Sequence, residues 1–209
     1  MAEATLRPHS QLAGALAELA ARHSAGAGPR LSESPFAARL MLRAIEPLDA
    51  LNRRIGPLLG LALDDTPNRA TESANLTVFW QRVDHWLIVA PDDRREALIT
   101  ALDDALADGD SSLVDLSDYY TTLLLEGERA VDVLMKGCSL DLHPRAFAVG
   151  DMALTRLAQA DVMLHRSGER RYAIQMRRSF AEYALKWLFD AGLEYDIGVI
   201  HENTHGVES

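Results

Sequence analysis

Apolar positions along this chain recur with two periods, one helical and one strand-like, and the two alternate from end to end. From Ser10 to His23, Leu12, Leu16, Leu19 and Ala20 fall on one stripe, which predicts an amphipathic helix that Ser10 can cap. The break AGAGPR (25–30) sets that helix apart, so residues 1–30 read as a helical arm and linker free to dock elsewhere. FAARLMLRAI (36–45) predicts a strand in preference to a short buried helix. Residues 48–62 predict a helix interrupted at Gly56-Pro57, and DDTPNRATES (64–73) predicts a loop. LTVFW (76–80) and HWLIVA (85–90) are rich in β-branched and aromatic residues and predict a hairpin that turns between Gln81 and Asp84.

Pro91 ends that strand. Asp92 then offers a cap for a helix over 93–107, with Leu98, Ala101, Leu102, Ala105 and Leu106 facing a core and Gly109 as its stop. Two short strands follow, SLVDL (112–116) and TTLLLE (121–126), and then a helix at 128–136 presenting Ala130, Val131, Leu134 and Met135. ALTRLA (153–158), DVMLHR (161–166) and RYAIQM (171–176) predict three antiparallel strands joined by tight turns. Ser179 is placed to cap a last helix whose apolar face is Phe180, Tyr183, Ala184, Trp187, Leu188 and Ala191. Glu182 and Lys186 stand four apart in the order that favours an ion pair, worth roughly 0.3 kcal/mol. Hairpins alternating with helices predict an α+β fold of antiparallel β-sheets with packed helices, in two small subdomains at 31–110 and 111–198, ahead of a disordered acidic tail at 199–209.

Composition narrows the function. The net charge of −10 repels phosphate backbones and anionic lipid, so nucleic acid and membrane surfaces are not expected partners. No run of about 18 apolar residues is present to span a bilayer. The first residues, MAEATLRPHSQ, lack the basic and apolar regions of a secretory signal. A single cysteine, Cys138, excludes an internal disulfide and fits a reducing compartment, so a cytoplasmic protein is expected.

Candidate chemistry is sparse. His201-Glu202-Asn203-Thr204-His205 fits H-E-x-x-H, a pattern that binds zinc when it sits in a helix. Here Asn203, Thr204 and Gly206 oppose a helix, and no third ligand is evident beyond Glu208, so no metal is expected. Cys138 and His143 raise a nucleophile–base pair, but Leu140, Leu142 and Pro144 favour a small core residue beside a loop. Trp80 and Trp86 flank the hairpin turn and read as core or interface anchors, or as a platform for a ring-shaped ligand. Asp115 is a weak candidate for holding a cationic or pterin-like group, against the ordinary reading of a turn or cap. No G-x-G-x-x-G fingerprint or P-loop is present, and no catalytic residue is assigned. Leu12, Leu16 and Leu19 of the arm join the two tryptophans as interface candidates.

VDLSD (114–118), the EG-x-x-A turn (126–130), KGCSLDL (136–142), GDMALTRLA (150–158) and RSFAEYALKWLFDA (178–191) run in an order that resembles the gamma subunit of heterotetrameric sarcosine oxidase. The resemblance covers roughly residues 74–197. It implies a fold like the folate-binding domain of the glycine-cleavage aminomethyltransferase. It further implies a non-catalytic chain without a cofactor of its own, partnered by alpha, beta and delta subunits. Those partners are expected to carry FAD, FMN, NAD, tetrahydrofolate and zinc. Where the family tends to show Leu-Gly-Pro-Asp-Glu-Trp, this chain has Gln81-Arg82-Val83-Asp84-His85-Trp86, and the N-terminal third matches poorly. The substrate therefore stays open between sarcosine and other N-methylated amines, as in N-methylglutamate dehydrogenase. A free-standing folate-binding protein of the aminomethyltransferase type is the alternative.

Overall fold

The computed structural model describes residues 10–23 and 27–201. Its elements are α1 (Ala13–His23), β1 (Arg30–Ser34), β2 (Ala38–Ala44), α2 (Leu48–Leu59), β3 (Ala70–Glu72), β4 (Thr77–Arg82), β5 (His85–Ala90) and α3 (Arg95–Leu106). They continue with β6 (Ser111–Asp115), β7 (Tyr120–Glu126), α4 (Ala130–Met135), β8 (Met152–Leu157), β9 (Ala160–Gly168), β10 (Arg171–Arg177), α5 (Arg178–Gly192) and β11 (Gly198–Val199). This is the expected α+β class. One sheet has six strands in the order β11-β1-β7-β10-β9-β8, and the other has five in the order β3-β4-β5-β2-β6.

Alternation along the strands assigns their faces. In β2, Ala38, Leu40, Leu42 and Ala44 join Leu51, Ile55 and Leu59 of α2 and Leu98, Leu102 and Leu106 of α3 in one buried cluster. Leu123 and Leu125 of β7, with Tyr172, Ile174 and Met176 of β10, meet the helices of the other side in a second. Between the sheets lies a smaller cluster of Phe79, Leu87, Met152 and Met163. The layers therefore run helices, sheet, sheet, helices, and the two sheets face each other through their less apolar surfaces.

The sheets exchange strands, so the expected divide between 31–110 and 111–198 is not where they separate. β1 pairs with β7 and β11, while β6 pairs with β2. The chain crosses between sheets at residues 35–37 and again at 116–119. Such long-range pairing leaves no local mark on the hydrophobic pattern.

Other expectations change for local reasons. β3 falls inside the expected loop 64–73, because pairing with β4 makes a strand of three residues that have no pattern of their own. Gly56-Pro57 does not interrupt α2, which runs on to a left-handed Gly60. Pro57 and Arg53 both face solvent, so water can satisfy the Arg53 carbonyl that the proline leaves free. Asp92 opens a 3-10 turn ahead of α3 rather than capping it, and Ser179 lies inside the first turn of α5. Met135 and Tyr183 are exposed, while Val133, Ala181 and Leu185 take the buried places on their helices.

The arm is part of the chain's own core. Leu12 and Leu16 are buried against the six-stranded side and Leu19 packs on it, which removes the first two as interface candidates. Ser10 does cap α1, its Oγ accepting the Leu12 amide at 3.0 Å. The linker's last residues are tied down as well. The Gly28 amide donates to the Asp196 carbonyl at 3.0 Å, and a Cβ at Gly28 would lie 1.7 Å from the Tyr195 carbonyl oxygen. The expected disordered tail at 199–209 starts too early: Val199 of β11 is buried and pairs with Leu31, and the Ile200 amide donates to the Leu31 carbonyl at 2.9 Å, while the residues beyond His201, and with them most of the H-E-x-x-H match, lie outside the described residues.

Candidate functional site: the cleft between the sheets

Odd positions of β2 point into the space between the sheets, and one of them is Arg39, only 1 % exposed. Its guanidinium crosses from the five-stranded sheet to the six-stranded one. Nη2 donates to Thr122 Oγ1 of β7 at 3.1 Å and to the Ser34 carbonyl at 3.4 Å. Nε donates to Gln175 Oε1 of β10 at 3.4 Å, and Nη1 to the Ala37 carbonyl at 3.2 Å. Burial, with the like charge of Arg178, lowers its pKa to about 10, so it stays cationic at neutral pH.

His165 of β9 faces the same space and is 3 % exposed. Its ring stands edge-on to Phe79, with centroids 5.0 Å apart. Burial pushes the imidazole down to about 4. Glu72 Oε1 lies 3.7 Å from Nε2, but the ring is neutral and that carboxylate faces water, so the contact is not an ion pair. Nε2 has no hydrogen-bond partner among the described residues.

Two cavities open along the cleft and share Met163 and Gln175 in their walls. The larger, about 540 Å³, lies toward β8 and is bordered by Tyr119, Tyr120 and Leu154. The smaller, about 220 Å³, holds Arg39, His165, Thr122 and Phe79.

The candidates from sequence stand largely apart from this cleft. Asp115 lies at the 116–119 crossing, on the strand that ends there. Its Oδ1 accepts the Ser117 hydroxyl at 2.6 Å and the Ser117 amide at 2.9 Å, and Oδ2 accepts Arg95 Nε at 2.7 Å. Partial burial works against its ionisation, yet the Ser117 bonds and Arg95 hold the carboxyl below its usual value. It is an anchored turn residue. Trp80 and Trp86 are direct cross-strand partners, on the face turned to the helices and away from the cleft. Trp86 is buried, with Nε1 donating to the Asp64 carbonyl at 2.8 Å, so it is neither a stacking platform nor an interface anchor. Trp80 is half-buried.

Cys138 is buried, its Sγ 4.0 Å from Thr155 Oγ1. His143 is exposed and its Nδ1 accepts the Arg145 amide at 3.2 Å, so the two form no nucleophile–base pair. No cluster of three potential metal ligands occurs among the described residues. Arg39 and His165 were not singled out from sequence, although the signal existed. Each is a charged or titratable residue inside a strand whose other residues are mostly buried.

Comparison with known proteins matches residues 50–194 to the sarcosine oxidase, gamma subunit family. The sarcosine oxidase subunit gamma of Corynebacterium sp. strain U-96 is 35% identical over 166 residues, covering 79% of this chain and 80% of that one. The subunit of the same name from Arthrobacter sp. is 35% identical over 181 residues, covering 86% and 88%. Among solved structures, a chain of heterotetrameric sarcosine oxidase from Corynebacterium sp. U-96, in complex with pyrrole 2-carboxylate, superposes with a TM-score of 0.82 at 32% identity. That match covers 90% of this chain and 96% of the other. The glycine cleavage aminomethyltransferase T of Bartonella henselae shares the fold, with a TM-score of 0.61 at 14% identity, over 88% of this chain and 50% of its own.

Proposed function

The chain belongs to the sarcosine oxidase gamma subunit family, and on that premise we propose that it is the non-catalytic gamma subunit of a heterotetrameric flavoprotein complex. The complex oxidatively demethylates sarcosine or a related N-methylated amine. In this reading the alpha and beta subunits bind FAD, FMN and NAD and pass the one-carbon unit to tetrahydrofolate, and the delta subunit holds zinc. The whole assembly is cytoplasmic. The gamma chain contributes fold and surface rather than chemistry.

The observation that carries this reading is the near end-to-end superposition on one chain of a four-subunit oxidase. The polar groups described above support it. Asp115 is committed to Ser117 and Arg95, and His143 to a backbone amide, so neither is disposed as a base beside a nucleophile. Trp80, half-buried beside an exposed hairpin turn with Val83 at its tip, and the half-buried Leu19 of α1 are the remaining interface candidates.

Co-expression of this chain with its alpha, beta and delta partners tests the proposal. The expected product is a yellow four-subunit preparation that oxidises an N-methylated amine, and omission of this chain should impair its assembly. A complex that forms and turns over equally well without it would refute the assignment.

A further inference from the structure

We infer that the smaller cavity between the sheets is a binding site for a small monocarboxylate, held by the Arg39 guanidinium. A buried cation ordinarily has an anion against it, because neutral acceptors do not replace the hydration it has lost. Arg39 is buried, yet all four of its hydrogen bonds go to neutral oxygens at 3.1–3.4 Å. Charge-assisted bonds of this kind run about 2.7–2.9 Å. Among the described residues no carboxylate lies within ion-pair distance of it. Glu33 is directed to the opposite face of its sheet, where it accepts from Ser10 and Thr121. Arg178, at the start of α5, adds a like charge, while Asp92 and Glu33 act on the guanidinium only from beyond ion-pair distance. A guanidinium has five N–H donors, so one on Nη1 is left over.

The space beside Arg39 has the matching chemistry. The cavity is about 220 Å³, below the ~300 Å³ at which pockets for larger ligands begin. Thr122 and Gln175 stand next to the guanidinium, Phe79 and Val89 give an apolar wall, and His165, whose buried Nε2 has no hydrogen-bond partner among the described residues, belongs to the same lining. Glu72 lies at the edge and opposes a ligand of two or more negative charges. Arg171, also on the lining, is neutralised by Glu126 at 2.7 Å. A planar, singly charged acid fits both the fork of Arg39 and this charge balance.

The test is an NMR titration of the full chain with sodium acetate at pH 7.5 and constant ionic strength, read on the His165 ring protons. Saturable shifts with a millimolar midpoint are expected, and sodium chloride in place of acetate should not produce them. Arg39→Gln should weaken the response at least tenfold. Ala173→Leu, which keeps Arg39 but fills the cavity, should abolish it, and serves alone if Arg39→Gln does not fold. A parallel titration with glycine separates a simple acid from a zwitterion, whose ammonium group Glu72 would favour. Shifts in the native chain that do not saturate, or that persist unchanged in Ala173→Leu, would overturn the inference. Because the experiment uses the isolated chain, its outcome is independent of whether the four-subunit complex assembles.

Discussion

Arg39 Nη2 of β2 reaches Thr122 Oγ1 of β7 at 3.1 Å, and this contact ties the two sheets together at the middle of the molecule. The apolar cluster between the sheets is small, so the polar strut carries a share of the packing there. Arg39→Ala removes the strut, strands two backbone carbonyls and opens a cavity. The expected loss is about 3 kcal/mol, the sum of a lost side chain and unsatisfied acceptors. Arg43→Ala, four residues along on the same face but solvent-exposed, should cost less than about 0.5 kcal/mol. Urea unfolding of the two variants gives the comparison, and equal losses would remove Arg39 from this role.

His165 makes stability depend on pH in a defined window. Its folded-state pKa of about 4 lies below the ordinary 6.5. The unfolded chain therefore takes up a proton that the folded chain refuses. The contribution is fully present above about pH 6.5 and is lost progressively as pH falls toward 4, with a ceiling on the order of 3 kcal/mol. His165→Leu should flatten the difference in urea midpoint between pH 7 and pH 4.5 relative to the native chain. Parallel pH curves for the two proteins would mean that water reaches the ring.

The N-terminal helix belongs to the core, and its removal should show as lost stability. Leu12 is fully buried and Leu16 nearly so. Leu12→Ala and Leu16→Ala should each cost 2–5 kcal/mol by the usual range for buried leucines, about the scale that lowers a melting temperature by several degrees. Deletion of residues 1–23 should destabilise the isolated chain strongly. Thermal melts that leave the truncated chain unchanged would return the helix to the status of a detachable arm.

How much of this was legible depends on the range of the interaction. The spacing of Leu51, Ile55 and Leu59 marks α2 and its buried face directly, and the β-branched run of β4 and β5 marks their hairpin. Element types follow from such local periods. The exchange of β1 and β6 between sheets does not, because each depends on a partner about 90 or 70 residues away in sequence. The same limit explains the candidate site. In β2, Arg39 alternates correctly with Met41 and Arg43, but only the second sheet shows that one arginine is enclosed and the other exposed. His165 likewise looks like an ordinary strand residue until Phe79 and Glu72 arrive from the other sheet.

Residues with catalytic side chains should matter for folding rather than for turnover. Cys138→Ser and His143→Ala are expected to leave kcat of the assembled complex within a few fold of native. Asp115→Ala should lower stability by about 1–2 kcal/mol through loss of the Ser117 and Arg95 bonds, with kcat of the folded complex unchanged. Loss of a true general base or nucleophile costs about 10²–10⁴ in rate, so a fall of that size in any one variant would place chemistry in this chain.

The segment KGCSLDL is explained by a steric fit between Gly137 and Trp187. A Cβ at Gly137 would lie 2.5 Å from Trp187 Cη2 and 3.2 Å from the Ala158 amide nitrogen. That amide donates to the Gly137 carbonyl at 2.9 Å, so the backbone cannot simply withdraw. The indole of α5 thus rests directly on the turn after α4, and a methyl group there must push it aside. Gly137→Ala is expected to destabilise by about 1–3 kcal/mol, the range for overpacking. Trp187→Leu alone should also destabilise, because it removes apolar contacts from the six-stranded side. The informative quantity is the double variant. If the clash is the cause, Gly137→Ala should cost little in the Trp187→Leu background, giving a coupling of at least about 1 kcal/mol in a urea-unfolding cycle. Additive losses would mean that glycine is required at this turn for some reason other than the room it leaves for the indole.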